Sequence, residues 1–584
     1  MFDLEQAKKD ALEFLQRTLT ISELTDDEKE LAEFEIARPV WEIRTEYFQP
    51  NGSVRPVKLY AAIPTDFPLL MPEMYLAEEC MAEIGFVPHI NAIGSICLYD
   101  ATSLTLDTSR PGEVVKLAVE RAIKIIEDGV AQNNTGDVTD EFVAYWSERY
   151  GPDDKHERGL NMVAGSEPAV DSLKIIVLDK KYRGFGFILH DGSEDFEIFK
   201  GFLSEAKYTF KEHPAFYLGL SGMISPPFRL SNGDISLFIE REFKSRARDF
   251  DRFLEQVFSS TYLIFSIKIG ENVSFFGWHL PFVNCYRPGF RTGSLKPLRV
   301  LATFQKNYFP LRMIMEEYTT SRLQRRTAGV MAPNRYKFAF AGVGSIGSNL
   351  IPYMLSLETS QISLIDFDIL TIENINRHLL GMSHVNEDKV KALKHHLQAN
   401  NPLLKVDTYK SSVIEVINKR PNILNDSDFI IVSIGINNVE EYIAQALAES
   451  ELTKPVLFFW VEPYLMGGHC IYLTPEHKVN FKELFKNGLY RYNMITSETY
   501  GDQDAQIKLR EAGCQTSYVP YGRQSITRFL SAIMPTLYDL IDAHSTVDLA
   551  ISWRNSDKVI DGLGIKLSEL GNTTKEYEVQ VNNL

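Results

Sequence analysis

The chain has 584 residues, of which 44% are hydrophobic and 24% charged, and its formal net charge is −17. A single hydrophobic core stops growing well below this length, so we expect two to four domains. The negative charge argues against a nucleic acid as partner, because phosphate binding requires clustered Lys and Arg side chains. No apolar run is long enough to cross a bilayer, so we expect no membrane attachment.

The amino terminus and the cysteines favour a cytoplasmic protein. Residues 1–19 have the pattern of an amphipathic helix and lack the basic start, apolar run and cleavage site of a signal peptide. The five cysteines are scattered and form no C-x-x-C pair, which argues against a disulfide framework and against a structural zinc site. In a reducing compartment such cysteines remain thiols.

The first of three predicted domains covers residues 1–155. Its opening helix precedes strand-like runs at 34–48 and 54–64, which an Asn-Gly-Ser turn connects. An amphipathic helix is predicted to start near Pro111, since proline is favoured in the first turn of a helix. This mixture predicts an α+β domain.

Two further domains are predicted after it. Residues 156–304 alternate strand-like runs with polar turns and carry no chemical motif, so we interpret them as an α+β linker domain. Residues 305–584 open with a segment that is predicted to be helical and is rich in arginine (Arg312, Arg322, Arg325 and Arg326). Apolar runs then alternate with helical stretches, a pattern that predicts a parallel, doubly wound α/β sheet.

A glycine-rich turn lies at the first strand–helix junction of this third domain. Gly342, Gly344 and Gly347 form a G-x-G-x-x-G pattern that follows a buried strand and opens a helix. Such glycines allow a tight turn and a close approach of the backbone to phosphate, and the helix amino terminus attracts negative charge. Asp366 follows Gly347 by 19 residues at the end of the next strand, where an acid binds ribose hydroxyls. Up to this point an NAD-dependent dehydrogenase fits as well as an ATP-dependent enzyme.

The residues that follow favour ATP. Asp366, Asp368, Asn374, Arg377 and Lys389 lie within one short span. A nicotinamide site does not require this set, whereas cleavage of a triphosphate uses Arg and Lys to neutralise phosphate oxygens and acids to hold ribose or magnesium. The alternative is a solvated helix with scattered charges, which the glycine turn upstream makes less favourable.

The run from Gly342 to Lys389 resembles the ThiF and ubiquitin-activating adenylation domain, whose signature combines G-x-G-x-x-G, D-x-D, N-x-x-R and a lysine. The resemblance implies a Rossmann-like fold and adenylation of a protein C-terminal carboxylate by Mg-ATP. It implies that Asp366 contacts the ribose and that Asn374, Arg377 and Lys389 contact the phosphates.

The same resemblance carries two further implications and one departure. Such domains usually form homodimers, and an arginine of the preceding helix can reach the partner's nucleotide, for which Arg322 and Arg325 are the candidates. The family has a magnesium-binding Asp after the fourth strand, but this chain has Ile436 and Asn437 there. The magnesium ligands are therefore expected among Asp368 and Asn437, with Glu440 as a further substitute.

Cys514 lies in a predicted loop shortly before a helix that we expect to start near Tyr521. A thiol near a helix amino terminus, with Arg523 close in sequence, ionises more readily, and the thiolate is the nucleophilic form. The alternative is a buried structural cysteine. The stretch Cys514, Gln515 and Thr516 resembles the cysteine–threonine stretch of activating enzymes, which implies that Cys514 attacks the acyl adenylate.

The stretches FPLLMPEMYLA (67–77) and HINAIGSICLYD (89–100) resemble the core of ubiquitin-conjugating enzymes. The resemblance implies an α+β ubiquitin-conjugating-like fold in which Cys97 holds a thioester and Asn91 donates to the oxyanion formed when an amine attacks it. Two departures are Ile90, which stands where proline is usual, and a loop between Asn91 and Cys97 that is two residues short. A β-domain that only binds a partner is the alternative.

The order of the modules in this chain, with the conjugating module first, the linker domain next and the activating module last, resembles that of the bacterial fusion proteins of CBASS antiphage operons. The resemblance implies that a cGAS/DncV-like nucleotidyltransferase (CD-NTase) is activated through its C-terminus and conjugated to an acceptor lysine, which primes defence signalling. One alternative is a ThiF-like adenylyltransferase for a sulfur carrier, with the N-terminal region as a docking domain. A second is a non-catalytic scaffold that keeps a nucleotide-binding fold.

Overall fold

The computed structural model describes most of the chain. The described residues are 3–99, 104–134, 141–149, 154–164, 168, 173–220, 228–256, 260–269, 272–281, 296–328, 336–477, 479–486, 489–502, 506–507, 509–510 and 517–584. They form two compact units, one made of residues 1–193 and 208–318 and the other of residues 194–207 and 319–584. Among the described residues, no helix combines the length and the apolar character that crossing a bilayer requires.

The N-terminal part of the first unit is an antiparallel sheet covered by helices. Its elements in chain order are α1 (Leu4–Leu15), β1 (Thr20–Glu23), α2 (Asp26–Leu31), β2 (Val40–Phe48), β3 (Val54–Ala62), β4 (Glu73–Leu76), α3 (Glu78–Ile84), β5 (Ser95–Ile96), α4 (Pro111–Val130) and α5 (Phe142–Ser147). The strands pair in sequence order, from β1 to β5. Helix α4 starts at Pro111, as predicted, because its fixed backbone angle suits the first helical position.

Helical periodicity builds the core of this part. Ala7, Ala11 and Leu15 recur at intervals of four on α1, and they pack in one cluster with Ala118 and Ala122 of α4. Small residues on both helices let their backbones approach closely. The strand side chains of the same cluster complete the core.

The rest of the first unit is built around a closed barrel. The elements of this stretch of chain are β6 (His156–Met162), β7 (Lys174–Tyr182), β8 (Phe185–His190), α6 (Glu194–Glu205), β9 (Phe210–Gly219), α7 (Asn232–Glu242), α8 (Ala247–Gln256), β10 (Ser260–Ile269), β11 (Asn272–Pro281), α9 (Pro297–Thr303) and β12 (Leu311–Glu317). Helix α6 belongs to the second unit. The strands close in the order β10-β11-β12-β6-β8-β7-β9.

One arginine lies in a different element from the one predicted. Arg312 was expected in a helix, but it lies on strand β12 of the barrel and is buried. Its neighbours Met313 and Leu311 are apolar, and the pairing of β12 with β6 and β11 decides the local conformation. The other three arginines of that segment lie on α10 (Thr320–Ala328), as expected.

The second unit contains an eight-stranded sheet. After α6 and α10 its elements are β13 (Lys337–Ala341), α11 (Ser345–Leu355), β14 (Gln361–Ile365), α12 (Lys389–Asn400), β15 (Lys405–Tyr409), α13 (Val413–Lys419), α14 (Asn422–Asn425), β16 (Phe429–Val432), α15 (Asn437–Ala448), β17 (Val456–Val461), β18 (Gly467–Leu473), β19 (Phe485–Lys486), β20 (Leu489–Tyr490), α16 (Ser497–Gly501), β21 (Leu509–Arg510), β22 (Ser517–Tyr518), α17 (Arg523–Asp542), β23 (Leu549–Arg554), α18 (Glu569–Thr573) and β24 (Val579–Asn583). Short 3₁₀ helices lie at Ile372–Asn374, Met382–His384, Pro463–Leu465, Phe481–Leu484 and Asp557–Val559.

The strand order of this sheet is β15-β14-β13-β16-β17-β18-β23-β24. The first five strands are parallel, which confirms the predicted doubly wound α/β arrangement. Along β13, Phe338 and Phe340 pack on one face and Ala339 and Ala341 on the other, so helices cover both faces. Strands β18, β23 and β24 extend the sheet in antiparallel fashion, which the sequence did not predict.

Candidate functional site

A cavity of about 1060 Å³ lies at the carboxyl ends of β13, β14, β16 and β17. In a parallel sheet these ends share one edge, where ligands usually bind. The cavity gathers almost all the predicted ligand-binding residues of the third domain: Gly342, Gly344, Asp366, Asp368, Asn374, Arg377, Lys389 and Asn437. The exception is Gly347, which is buried behind the turn.

The three glycines serve different purposes. Gly342 has a φ of +87°, and a Cβ there would lie 2.9 Å from the carbonyl oxygen of Ser433. A Cβ on Gly347 would lie 2.3 Å from the carbonyl oxygen of Gly342, so the helix could not pack against the turn. A Cβ on Gly344 would meet nothing within 4 Å. The open space at Gly344 is on the wall of the cavity, directly before the amino terminus of α11.

Because a Cβ has no space at Gly347 but has open space at Gly344, alanine substitutions at these two positions form a matched pair of variants. We expect Gly347→Ala to destabilise the second unit by about 1–3 kcal/mol, because the added methyl overlaps backbone. We expect Gly344→Ala to keep the wild-type Tm and to weaken ATP binding by at least about tenfold, or ~1.4 kcal/mol, because its methyl obstructs the approach to the turn. Thermal unfolding and nucleotide titration measure the two effects. A Gly344→Ala variant that binds ATP normally would contradict a phosphate position at this turn.

Asp366 connects the glycine turn to the end of β14. Its Oδ2 accepts the backbone N–H of Val343 at 2.9 Å, and its Oδ1 accepts the backbone N–H of Asp368 at 2.8 Å. Lys389, the first residue of α12, is buried, and its Nζ donates to Oδ2 of Asp368 at 2.8 Å. The acids and the lysine are therefore held at the cavity wall before any ligand binds.

His378 is a part of the site that the sequence analysis missed. It is buried beside the glycine turn, and burial, with the Lys389 charge as a smaller cause, lowers its pKa to about 4. Its Nδ1 accepts the backbone N–H of Leu380 at 3.0 Å, so the neutral ring carries its proton on Nε2 and donates it to the carbonyl oxygen of Val343 at 2.9 Å. The signal available in the sequence was its position directly after Arg377.

Arg377 lies at the rim of the cavity. Its guanidinium group stacks over the ring of Tyr521 at 5.5 Å from the centroid, and the Tyr521 hydroxyl contacts Oγ of Ser345 at 2.7 Å. The backbone carbonyl of Arg377 accepts Nδ2–H of Asn349 at 2.8 Å. Tyr521 thus keeps the guanidinium near the amino terminus of α11, where a phosphate group would be bound.

The expected magnesium ligands suit an ion that takes most of its coordinating oxygens from phosphates and water. Oδ1 of Asn437 is buried on the cavity wall and has no hydrogen-bond partner among the described residues, and Asp368 faces the same cavity. Glu440 is buried, which raises its pKa to about 7, and it accepts the Gly435 N–H at 2.9 Å. Among the described residues no group of three or more His, Cys, Asp or Glu could hold a metal alone. Mg²⁺ usually needs only one or two protein oxygens beside phosphates and water.

The cavity continues past the glycine turn to aromatic side chains. Trp460 and Tyr490 line this end, with their rings in an edge-to-face contact at 4.7 Å. The buried carboxylate of Glu462 accepts backbone N–H groups of Met494 and Ile495 and contacts Nε2 of His469 at 2.9 Å. This part was not anticipated, because the residues come from three separate elements. It leaves room for a second group beside a nucleotide.

Cys97 lies in a short hairpin of the first unit and is exposed. Its backbone N–H donates to the carbonyl oxygen of His89 at 2.8 Å, and the N–H of Asn91 donates to that of Ser95 at 3.0 Å. Between these pairs Ile90 bridges Ile96, and both are buried. Ile90 and Ile96 thus pack inward while Cys97 is exposed, and His89, with a φ of +67° in a turn, does not follow the alternation of an extended strand.

The side chain of Asn91 is held by its own loop. Its Oδ1 accepts the backbone N–H groups of Ile93 at 3.1 Å and Ser95 at 2.8 Å. These bonds fix the amide plane and leave the Nδ2 donor without an acceptor in the described part of the chain. Gly94 completes the tight loop with a φ of +83°, and its carbonyl accepts the N–H of Leu76.

Other predicted residues fall elsewhere. Cys514 lies outside the described residues, so its role stays a prediction. The helix after it, α17, begins at Arg523 with Gly522 as its N-cap, which confirms a start near Tyr521. Arg322 and Arg325 lie on α10. Cys470 is buried in β18 and packs in the core of the second unit.

Two known protein families match this chain, one in its N-terminal part and one in its C-terminal part. The model of prokaryotic E2 family B matches residues 8–152, and that of the ThiF family matches residues 326–512. No curated protein sequence matches the chain.

Two solved structures that match part of the chain are those of PaaA and MccB. PaaA is 17% identical with a TM-score of 0.29, and the match covers 40% of this chain and 64% of PaaA. Escherichia coli MccB in complex with MccA-N7isoASN is 15% identical with a TM-score of 0.27, and the match covers 40% of this chain and 65% of MccB. The chain thus spans less than two thirds of either protein. The two family matches identify the protein as a multi-domain α/β chain with an N-terminal E2-like domain and a C-terminal ThiF domain.

Proposed function

We propose that the protein uses ATP to activate the C-terminal carboxylate of a partner protein and transfers the acyl group, through two cysteine thioesters, to an amine. The observation that carries this proposal is the cavity of the ThiF domain, which gathers the glycine turn, Asp366, Arg377 and Lys389. A set of one acid at a strand end and two cations beside a helix amino terminus suits a nucleoside triphosphate better than a nicotinamide.

The polar residues that line the cavity are assigned the following roles in adenylation. Asp366 accepts from ribose hydroxyls. Asn374, Arg377 and Lys389 bind the phosphates, and Arg377 stabilises the charge that grows on the leaving pyrophosphate. Asp368 and Asn437 would hold Mg²⁺ together with the phosphates, and the ion would neutralise further charge there. The room toward Trp460 accepts the peptide carboxylate, which attacks the α-phosphorus.

The acyl group then moves between sulfur atoms. Cys514 attacks the acyl adenylate and AMP leaves, after which Cys97 takes the acyl group by transthiolation. An acceptor lysine amine attacks that thioester to give an isopeptide bond. The two thioesters have similar energies, so ATP cleavage supplies the driving force. The exposure of Cys97, and an Asn91 Nδ2 donor that has no acceptor within the described part of the chain, support Cys97 as the cysteine from which the amine takes the acyl group.

The partner is proposed from the arrangement of modules. An E2-like domain before a ThiF domain favours a CBASS protein that acts on a CD-NTase and primes antiviral signalling in the cytoplasm. We propose a homodimer through the ThiF domain, with Arg322 or Arg325 reaching the partner subunit's nucleotide. The alternative function is adenylation of a sulfur carrier, in which the E2-like domain only docks a protein.

The experiment uses the purified full chain with a candidate CD-NTase and ATP. We expect ATP–pyrophosphate exchange that requires the intact partner C-terminus, together with reductant-sensitive adducts on non-reducing gels. A partner that lacks its last residues is the control. Absence of exchange with any protein C-terminus would overturn the proposed adenylation and favour a non-catalytic scaffold.

A further inference from the structure

Three aromatic side chains line the end of the ThiF-domain cavity that lies away from the glycine turn. This aromatic wall consists of Trp460 near the carboxyl end of β17, Phe485 of β19 and Tyr490 of β20. The ring of Trp460 lies 4.7 Å from that of Tyr490 and 5.8 Å from that of Phe485, and the latter two are 5.5 Å apart, all between centroids. Rings in mutual contact form a continuous apolar surface, which favours an apolar group as its ligand.

A buried histidine supports the aromatic wall from behind. The side chain of His469 is fully buried, and its ring centroid lies 5.4 Å from that of Trp460 and 5.1 Å from that of Tyr490. Its Nδ1 contacts Oγ of Ser552 at 2.9 Å, and its Nε2 contacts Oε1 of Glu462 at 2.9 Å. Because both ring nitrogens have a partner, the imidazole has one fixed orientation, and the two rings in front of it pack against a rigid surface.

Glu462 also fixes the chain that follows Tyr490. Its carboxylate accepts the backbone N–H groups of Met494 and Ile495, and the same stretch of chain is hydrogen-bonded on its other side to residues 566–568. These bonds all lie within the protein, so the wall is formed before a ligand arrives and binding costs less entropy. Only 2% of the Glu462 side chain is exposed, and with these contacts it contributes little charge to the cavity.

The position of the wall in the sheet sets which residue of a bound tail lies beside it. The glycine turn follows β13, and β17 is the second strand from β13, with β16 between them. Neighbouring strands lie about 4.8 Å apart, so about 10 Å separate β17 from β13. An extended peptide covers about 3.3–3.6 Å per residue, so this distance corresponds to roughly three residues. When the reacting carboxylate lies beside the α-phosphate at the glycine turn, one of the three preceding residues lies beside the wall.

We propose that the aromatic wall is a specificity site for the tail of the partner protein, and that it binds an apolar side chain of about leucine size or larger on one of the three residues that precede the C-terminal residue. The inference rests on the proposed function and names the class of tail that the ThiF domain accepts. Trp460 and Tyr490 are the specificity residues, and Glu462 and His469 are positioning residues.

The same surface discriminates against charged tails. An apolar side chain that packs on the three rings is removed from water, which stabilises the bound tail. A carboxylate at that position would lose its hydration without gaining a partner. An ammonium group would find the nearby carboxylate of Glu462 already occupied by backbone N–H groups and by His469.

The experiment measures ATP–pyrophosphate exchange by the full chain with the candidate CD-NTase, whose C-terminal residue is kept. The three preceding residues are changed one at a time to Leu, Gly, Asp or Lys. At one of these positions we expect Leu to give a KM for the partner that is roughly 10- to 100-fold lower than Gly, Asp or Lys gives. The kcat should change only a few-fold, because the side chain is bound equally before and during the reaction.

Two variants of this chain and one control locate the effect. Trp460→Ala should reduce the difference between Leu and Asp tails to less than about threefold, with an unchanged Kd for ATP. Glu462→Gln should raise the KM for the Leu tail on the order of tenfold, again with an unchanged Kd for ATP, because an amide offers one acceptor oxygen where the carboxylate offers two. The control is Tyr577→Ala, since Tyr577 is an exposed aromatic residue of the same unit that does not line the cavity.

The outcomes separate this inference from the function beneath it. Absence of exchange with every tail overturns the proposed function, and the inference with it. If exchange is present but KM is the same for all tails, or lowest for Asp or Lys, the wall is not an apolar specificity site. Selectivity that survives in Trp460→Ala also overturns the inference. Should either variant lose ATP binding, the panel of tails with the wild-type chain decides.

Discussion

Replacing Cys97 by alanine should abolish the conjugate and its thioester while ATP–pyrophosphate exchange stays at the wild-type level. Replacing Cys514 should abolish both thioesters, again without loss of exchange. The reason is that adenylation needs only the cavity of the ThiF domain, whereas each transfer needs its own sulfur nucleophile. Loss of a nucleophile lowers such a step by at least about 10³-fold, so the products should fall below detection.

Non-reducing gels with and without reductant measure these products. The matched control is Cys80→Ala, since Cys80 packs at the edge of the first core and, within the described part of the chain, accepts only a long contact of 3.4 Å from the N–H of Lys58. A Cys97→Ala variant that still forms the final product would favour the sulfur-carrier alternative, in which the E2-like domain only docks. A thioester that survives in Cys514→Ala would reverse the order of the relay.

Arg377→Ala should lower the rate of ATP–pyrophosphate exchange by about 10²- to 10³-fold, the usual cost of removing a donor that stabilises transition-state charge. The effect should be mainly on kcat, because the charge on the leaving pyrophosphate grows during the reaction. The fold should persist, since Asn349 contacts the backbone carbonyl of Arg377 and not its side chain.

A second arginine of the same unit provides the control. Arg420 also stacks over a tyrosine ring, that of Tyr409 at 5.8 Å, but it does not line the cavity. Arg420→Ala removes an equal charge and a similar contact, and it should leave exchange unchanged. An Arg377→Ala variant that loses exchange only two- to threefold would show that its guanidinium does not contact the reacting phosphates.

Local sequence patterns were sufficient to predict the parallel strands of the adenylation domain and the residues at their carboxyl ends. The apolar run before Gly342 and the helix after it are periodic over a few residues, so strand, turn and helix could be predicted together. The D-x-D and N-x-x-R spacings placed their residues near one strand end, and the cavity contains them. The antiparallel pairing that adds β18, β23 and β24 to the sheet was not predicted, because β18 and β23 lie far apart in the sequence and their pairing leaves no signature in either strand.

The residues that complete both sites depend on contacts across long stretches of chain. His378 reaches Val343 over 35 positions, and Tyr145 reaches His89 over 56. Tyr521 holds Ser345 across 176 positions. Such contacts arise only when whole elements pack, and packing is decided by the shapes of many side chains at once. The chain's own periodicity and motif spacing therefore predicted the parallel sheet and the residues at its carboxyl edge, whereas packing between distant elements decided which further side chains, such as His378 and Tyr521, complete the cavity.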